Sequence, residues 1–467
     1  MRIRARASIR SALVCALLLS AAEAHAQTNA APHGRQITIN DPMLTPAPPA
    51  ARVVGGWPEA IALLRARSTD LKIAYYEVTR AEANSRIALA GMLPTIIATG
   101  QATHNILNAT VAIGTPIFNP VTGAYDSATG NVLPPNYIDG EATIIQPLFA
   151  PRVWHQMATA SHAEDVAKLG VEAQKRKIVL ALASALIGVV AAERIAELNR
   201  SGLRVALERY QLAMEKKTIG GGTQLDVLRS RQDVDAARST LVTGDESLRQ
   251  ARESLGLAVG VPGEIGVAPA ISLDALEQSA RGACKATSLD ERADVATARG
   301  KFDLAQSSVT DVKWQFAPTI SAESTMAATS IPDTIPNPIW NIEAILTVPI
   351  WDGGARYGML RSAHVDADEA EQTLIATQRE VTVEVAQARR GVQVASAQRA
   401  VDADARETAA ETDQLTRLGF QTGQGTSLEL VVAASQLRQA EINLALGDFD
   451  LVKARVAELL SRSNCPW

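Results

Sequence analysis

Two short runs in this chain set an acid three residues after a threonine, beside glycines. They are Gly220-Gly221-Gly222-Thr223-Gln224-Leu225-Asp226 and Gly423-Gln424-Gly425-Thr426-Ser427-Leu428-Glu429. The spacing Thr-x-x-Asp/Glu supports two chemistries. One is a capping box: the Thr oxygen accepts from a backbone N–H and the carboxylate reaches back to the N–H of the cap. The other is electrostatic. Carboxylates gathered around a narrow opening favour cations and repel anions, and crowding raises some of their pKa values. Both readings stand at this stage.

Little else in the sequence offers chemistry. Six histidines are scattered, and His155 and His162, seven apart, have no Cys or carboxylate at the spacing a metal needs. Gly220-Gly221-Gly222-Thr223 lacks the Lys of a phosphate loop, so it reads as a turn. There is no G-x-S-x-G run and no catalytic Cys/His pattern. The expectation is a chain that is not an enzyme and holds no cofactor or metal.

The elements that position those two runs come next. The chain has 467 residues, net charge −5, 47% hydrophobic, 4% aromatic and 20% charged residues. That composition suits a large, mostly helical core and not a disordered chain. The acidic balance argues against nucleic acid as a partner.

Arg2, Arg4, Arg6 and Arg10 precede an apolar stretch from Ala12 to Leu19, and Ala24-His25-Ala26 ends it. This is the pattern of a signal peptide over 1–26. Its removal takes four Arg and Glu23, leaves a charge of −8, and takes Cys15 as well. Ala12-Leu13-Val14 before Cys15 is no lipoprotein box. No later stretch reaches about 18 uninterrupted apolar residues, so no transmembrane helix is expected; Leu180 to Ala192 reads as a buried helix face.

Beyond the leader, 27–56 is rich in Pro and Ala and reads as an extended arm. The rest repeats. Asp70-Leu71 and Pro94-Thr95-Ile96 recur as Asp294-Val295 and Pro318-Thr319-Ile320, at an offset of 224. Pro147-Leu148-Phe149 recurs as Pro349-Ile350-Trp351 at 202, and the Gly/Thr tips recur at 203. The pattern is two copies of one large unit: 57–262 and 288–461, joined by a linker 263–287 and followed by a tail 462–467. Each unit is predicted to run as helix (57–92, 288–316), strand (95–104, 319–327), loop (105–138, 328–339), strand (139–149, 340–351), very long helix (152–217, 355–418), Gly-rich tip, and return helix (223–259, 426–461).

The strands alternate. Ile342, Ala344, Leu346, Val348 and Ile350 oppose Asn341, Glu343, Ile345 and Thr347; Ala142, Ile144 and Leu148 oppose Glu141, Thr143 and Ile145. One such strand fits a half-buried soluble sheet. Four of them in an exported chain read as membrane β-barrel strands. Four strands cannot close a barrel, and an open edge cannot sit in lipid, so oligomerisation is expected. Two copies give eight strands around a filled interior, three give twelve around a pore. In the second long helix, small apolar residues fall at Ala367, Ala370, Leu374, Thr377, Val381, Val385, Ala388, Val392 and Ala395, a coiled-coil seam with one stutter.

These features resemble the TolC family of outer-membrane efflux proteins, over roughly 57–461. The run Gly220 to Leu228 is similar to the family's G-x-x-[ST]-x-L-D-V-L, Gly423 to Val431 is its degenerate second copy, and Arg292-Ala293-Asp294-Val295 resembles R-P-D-L with Ala for Pro. The resemblance implies a mainly α fold with membrane β: a homotrimer with a 12-stranded barrel in outer-membrane lipid, continued by a long periplasmic α-helical barrel. The arm 27–56 then lies in the periplasm. The implied partners are a periplasmic adaptor (membrane fusion) protein and an inner-membrane pump of RND, ABC or MFS type. The tunnel would pass small molecules outward without catalysis. Two alternatives remain: the outer tunnel of a type I protein secretion system, and a periplasmic coiled-coil structural protein.

On this resemblance Asp226, Glu429 and Phe420 lie at the periplasmic entrance, with Gly220, Gly222, Thr223, Gly423, Gly425 and Thr426 forming the tip turns. The family's type members place a Tyr three residues before the second tip Gly and an Arg two residues after it. Here those positions are Phe420 and Gly425, and the later acidic position is Val432, so that lock does not carry over. The resemblance also brings the regions of Cys284 and Cys465 together around the middle of the tunnel. A disulfide or two free thiols are the alternatives there.

Overall fold

A computed structural model describes residues 39–107, 110–131, 134–269, 273–283, 285–286, 288–331 and 338–464. Two 68-residue helices dominate it, α3 (Pro151–Thr218) and α7 (Ala355–Thr422). At about 1.5 Å per residue each spans roughly 100 Å. Along half of its length, each is accompanied by a return helix, α4 (Gln224–Ala258) against α3 and α8 (Ser427–Ser461) against α7. Along the other half α3 is accompanied by α2 (Thr69–Ala90) and α7 by α6 (Ala293–Lys313). The two halves of the chain thus repeat one plan.

The first expected helix, 57–92, is two helices. α1 (Trp57–Arg67) ends at Ser68, whose backbone leaves the helical region and whose hydroxyl caps α2 by accepting from Leu71 N at 3.2 Å. The seam of α7 falls where spacing places it. All nine of its residues are buried or half-buried, while most of those between them are exposed.

Between the helices lies a four-stranded antiparallel sheet, ordered β2 (Thr95–His104), β5 (Asn136–Phe149), β8 (Thr319–Thr329), β9 (Ile339–Thr347). Register settles its faces. Ile96 pairs Ile144, Ile144 pairs Ser324, and Ser324 pairs Ile342. One pair along, Ala98, Ala142, Met326 and Trp340 form the next row of the same face. The opposite face carries Thr99 with Glu141, Thr143 with Thr325 and Asn341, and Glu323 with Glu343. The period of two puts the charged side chains on this face, together with Ile97, Ile145 and Ile345, and leaves the first face apolar apart from Ser324 in these rows. β9 stops at Thr347, so Val348 and Ile350 lie beyond the strand they were expected to extend.

The stretch 105–138, expected to be a loop, is a correction. It contains a hairpin of β3 (Thr110–Asn119) and β4 (Ala124–Asn131), joined by a turn with Gly123 at φ +67°. Its bulge between Ile113 and Ile117 breaks the alternation that would have shown the strand in sequence. The described parts of the arm and linker also hold more structure than expected. β1 (Arg52–Val54) pairs in parallel with β6 (Ile265–Val267) of the linker, which further holds α5 (Leu273–Ala283) and β7 (Lys285–Ala286). The tail contributes β10 (Ser463–Asn464), antiparallel to β7. Three-residue and two-residue strands are too short to leave a periodic signal.

The largest core gathers around the apolar middle of α3. Val179, Leu182, Leu186 and Val189 pack with Val54, Leu64, Leu255, Ile265, Phe449 and Leu460, so both repeats and the arm meet there. By length and composition α3 is apolar enough to cross a bilayer. Its Leu182 and Leu186, at 0% exposure, are core residues.

Candidate functional site

The two tips lie side by side. Just past the end of α3, Gly220 has a φ of +77°, which only glycine adopts freely, and α7 is capped by Gly423, with φ +81°. Gly222 and Gly425 are required by space instead. A Cβ on Gly222 would meet Lys217 N at 3.1 Å, and one on Gly425 would meet Phe420 N at 3.0 Å. The backbone folds back on itself at Gly425, so a side chain there would press on the Phe420 backbone.

Both acids form complete capping boxes. Asp226 Oδ2 accepts from Thr223 N at 2.9 Å and Thr223 Oγ1 accepts from Asp226 N at 3.2 Å. Glu429 Oε2 accepts from Thr426 N at 2.8 Å and Thr426 Oγ1 from Glu429 N at 3.2 Å. The two acids then differ. The second oxygen of Asp226 accepts from the hydroxyl of Ser427, the first residue of α8. That bond, then those from the Thr223 backbone and hydroxyl, hold the Asp226 carboxyl below the usual carboxylate range. Glu429 remains exposed.

A second link joins the tips. Lys216 Nζ donates to the Phe420 carbonyl at 3.0 Å and sits 3.7 Å from the centre of the Phe420 ring. Further from the tip, Arg209 of α3 donates to Asp233 of α4 at 3.1 Å and stands 4.0 Å from Asp413 of α7, and Arg438 of α8 stands 3.6 Å from Asp233. Burial pulls the Arg209 pKa down against the two carboxylates. Sequence reasoning named neither Lys216, Ser427 nor this group. Lys216 lies in the last turn of α3, and only the docking of one hairpin on the other brings it to Phe420.

The R-P-D-L-like run anchors the other end of the return helix α8. Arg292, 1% exposed, donates to Asp294 at 2.6 and 2.8 Å, to Glu384 of α7 at 2.6 Å, and to the Ser461 carbonyl that ends α8 at 2.9 Å. Arg176 of α3 adds bonds to the same two acids. Burial disfavours the charge on Arg292, yet Asp294 and Glu384 outweigh it and raise its pKa. Burial likewise pushes Asp294 up, but its bonds to Arg292 and the charge of Arg176 win and hold it low.

No group of three or more His, Cys, Asp or Glu able to hold a metal occurs among the described residues. His155 instead bonds Asp311 of α6 at 2.6 Å, a partner 156 residues away that spacing could not reveal. Cys284 and Cys465 lie outside the described residues.

The sequence profile of one family, described as outer membrane efflux protein, matches residues 60–261 and 286–457. The chain belongs to the outer membrane efflux protein family. Over 336 residues the chain is 25% identical to the pyoverdine export outer membrane protein OpmQ of Pseudomonas aeruginosa, covering 70% of this chain and 67% of OpmQ. Its fold is similar to crystal structures of CusC, at TM-score 0.73 and 18% identity over 91% of this chain and 98% of CusC. It is similar also to that of VceC from Vibrio cholerae, at 0.69 and 17% over 88% and 96%. This is a TolC-like outer-membrane factor, located in the outer membrane with a periplasmic extension. The family and the fold are those of channels.

Proposed function

We propose that three copies of this chain form the passive exit tunnel of a tripartite efflux system. The observation that carries the proposal is the two-faced sheet with both edges open. β2 and β9 stand at its edges, each paired on one side only among the described residues. In lipid such edges must be satisfied by another strand. Pairing β9 of one copy with β2 of the next repeats the sheet, and three copies of four strands close a twelve-stranded barrel wide enough to conduct. The apolar face with Ile96, Ile144 and Ile342 turns to lipid. The polar face with Glu141, Glu323 and Glu343 lines the lumen. The long helices then carry the tunnel through the periplasm to the tips, where Asp226, Glu429 and Phe420 of three chains surround the entrance.

A periplasmic adaptor and an inner-membrane pump would load this tunnel, with the energy spent at the pump. OpmQ is named for export of pyoverdine, a small-molecule task. That favours small-molecule efflux over the outer tunnel of a type I protein secretion system. A periplasmic coiled-coil structural protein would have no use for a sheet with one apolar face exposed.

Deleting the gene should raise intracellular accumulation of small exported compounds and leave secreted proteins unchanged, with the chain restored from a plasmid reversing the effect. Normal accumulation together with loss of one secreted protein would transfer the chain to protein secretion.

A further inference from the structure

Four helices pack as one row: α2 on α3, α3 on α6, and α6 on α7. The row crosses from the first repeat to the second between α3 and α6. An ion pair marks that crossing, where Arg176 of α3 donates to Asp294, in the first turn of α6, at 3.2 Å. α2 and α7 stand at the two ends of the row, as β2 and β9 stand at the edges of the sheet. We infer that Arg379 of α7 makes the same ion pair with Asp70 of α2 in a second copy of this chain, at every junction between copies. The inference rests on the three-copy tunnel proposed above and names a bond that joins its helices.

The internal repeat carries the argument. Arg379 stands 203 residues after Arg176, the offset of the two tips. Burial agrees with that alignment: Ile178 and Leu182 are buried on α3, and Val381 and Val385, each 203 residues later, are buried on α7. Asp70 stands 224 residues before Asp294, and each is the second residue of its helix. Arg379 and Asp70 are therefore the repeat counterparts of a pair that already joins two repeats inside the chain.

The two pairs differ in what covers them. Arg176 and Val179 are buried. Their counterparts Arg379 and Thr382 are exposed, and with Ile375, Gln378 and Val383 they line an open hollow on α7. Asp70 is exposed too. Neither Arg379 nor Asp70 has a side-chain hydrogen bond or an ion pair to any described residue. Within one chain they lie at opposite ends of the row, so the partner of each comes from another copy. Ile73 and Val383, one turn from Asp70 and Arg379, are exposed and add apolar area to the same contact. A contact between two different surfaces of one chain runs head to tail, and such contacts generate rings when the rotation closes. A guanidinium and a carboxylate brought together there make a charge-assisted bond.

The test uses the full mature protein in detergent. D70K and R379E should each keep the wild-type helix content and lower the temperature at which the oligomer dissociates. D70K/R379E, which restores opposite signs, should recover most of that loss. D70C/R379C, made together with C284S and C465S, should be linked by a short bismaleimide into dimers and trimers on a denaturing gel, while either single cysteine gives monomers. A wild-type protein that is monomeric in detergent would overturn the three-copy tunnel and this pair with it. A wild-type trimer whose two cysteines link only within one chain or not at all, or whose charge swap dissociates no later than the single variants, would overturn the pair alone.

Discussion

Lys216 and Phe420 are 204 residues apart in sequence, yet Lys216 Nζ lies 3.0 Å from the Phe420 carbonyl and 3.7 Å from its ring centre. The pair fastens the tip of the first hairpin to the tip of the second. A cation–π contact that is partly desolvated contributes about 1–2 kcal/mol, and the hydrogen bond to the carbonyl adds about 1 kcal/mol.

Lys216→Met keeps the stem and removes both interactions. The expected outcome is a looser entrance: basal open probability in a planar bilayer rises by about tenfold, following the tenfold per roughly 1.4 kcal/mol relation. Phe420→Leu keeps the carbonyl bond and should give a smaller rise.

Asp226 and Glu429 act as caps in the protomer, so their charge is separable from their hydrogen bonds. Asp226→Asn with Glu429→Gln should leave the protein folded, with a thermal midpoint lowered by only a few degrees, as expected for about 1 kcal/mol per cap. Cation selectivity from reversal potentials should fall. Unchanged selectivity with intact stability would assign the two acids to capping alone.

The Arg292 network should make the junction acid-labile. Asp294 is held below its ordinary value, mainly because the Arg292 bonds and the Arg176 charge overcome burial. Its contribution to stability is therefore fully present above the unfolded carboxylate range and is lost as pH falls through its lowered folded value. Asp294→Asn should be less stable at neutral pH and show a flatter acid limb in denaturation curves. Arg292→Met, which leaves Asp294 and Glu384 with Arg176 alone and removes the donor to the Ser461 carbonyl, should cost about 3–5 kcal/mol.

Leu182, fully buried where α3 meets α8, β6 and the arm, tests the core. Leu182→Ala should destabilise the protein by about 2–5 kcal/mol, read from the denaturation midpoint. The equivalent change at exposed Leu418 of α7 should cost under about 0.5 kcal/mol.

The repeat, the long helices and the faces of the sheet were legible because they rest on period and offset. Counting put Ile144 and Ile342 each on the apolar side of its own strand, and the ladder registers bring those sides together with Ile96. Gly220 and Gly423 were legible as turns because the residue that closes a helix end often takes φ above zero. What was hidden depends on which segments meet. The hairpin β3–β4 is masked by its bulge and by Pro, Gly and Asn that read as loop. The bonds from Lys216 to Phe420 and from Ser427 to Asp226 join residues about 200 apart. Asp294 was visible as a motif residue, but nothing in sequence pointed to Glu384 as its neighbour across Arg292.

The most direct test of the tunnel is one purified sample, measured twice. The protein extracted from outer membranes should have the mass of three chains by light scattering corrected for detergent. The same sample should conduct ions without nucleotide or proton gradient when added to a planar bilayer, in discrete steps of one size. A monomer that needs no detergent and leaves the bilayer silent would contradict the account.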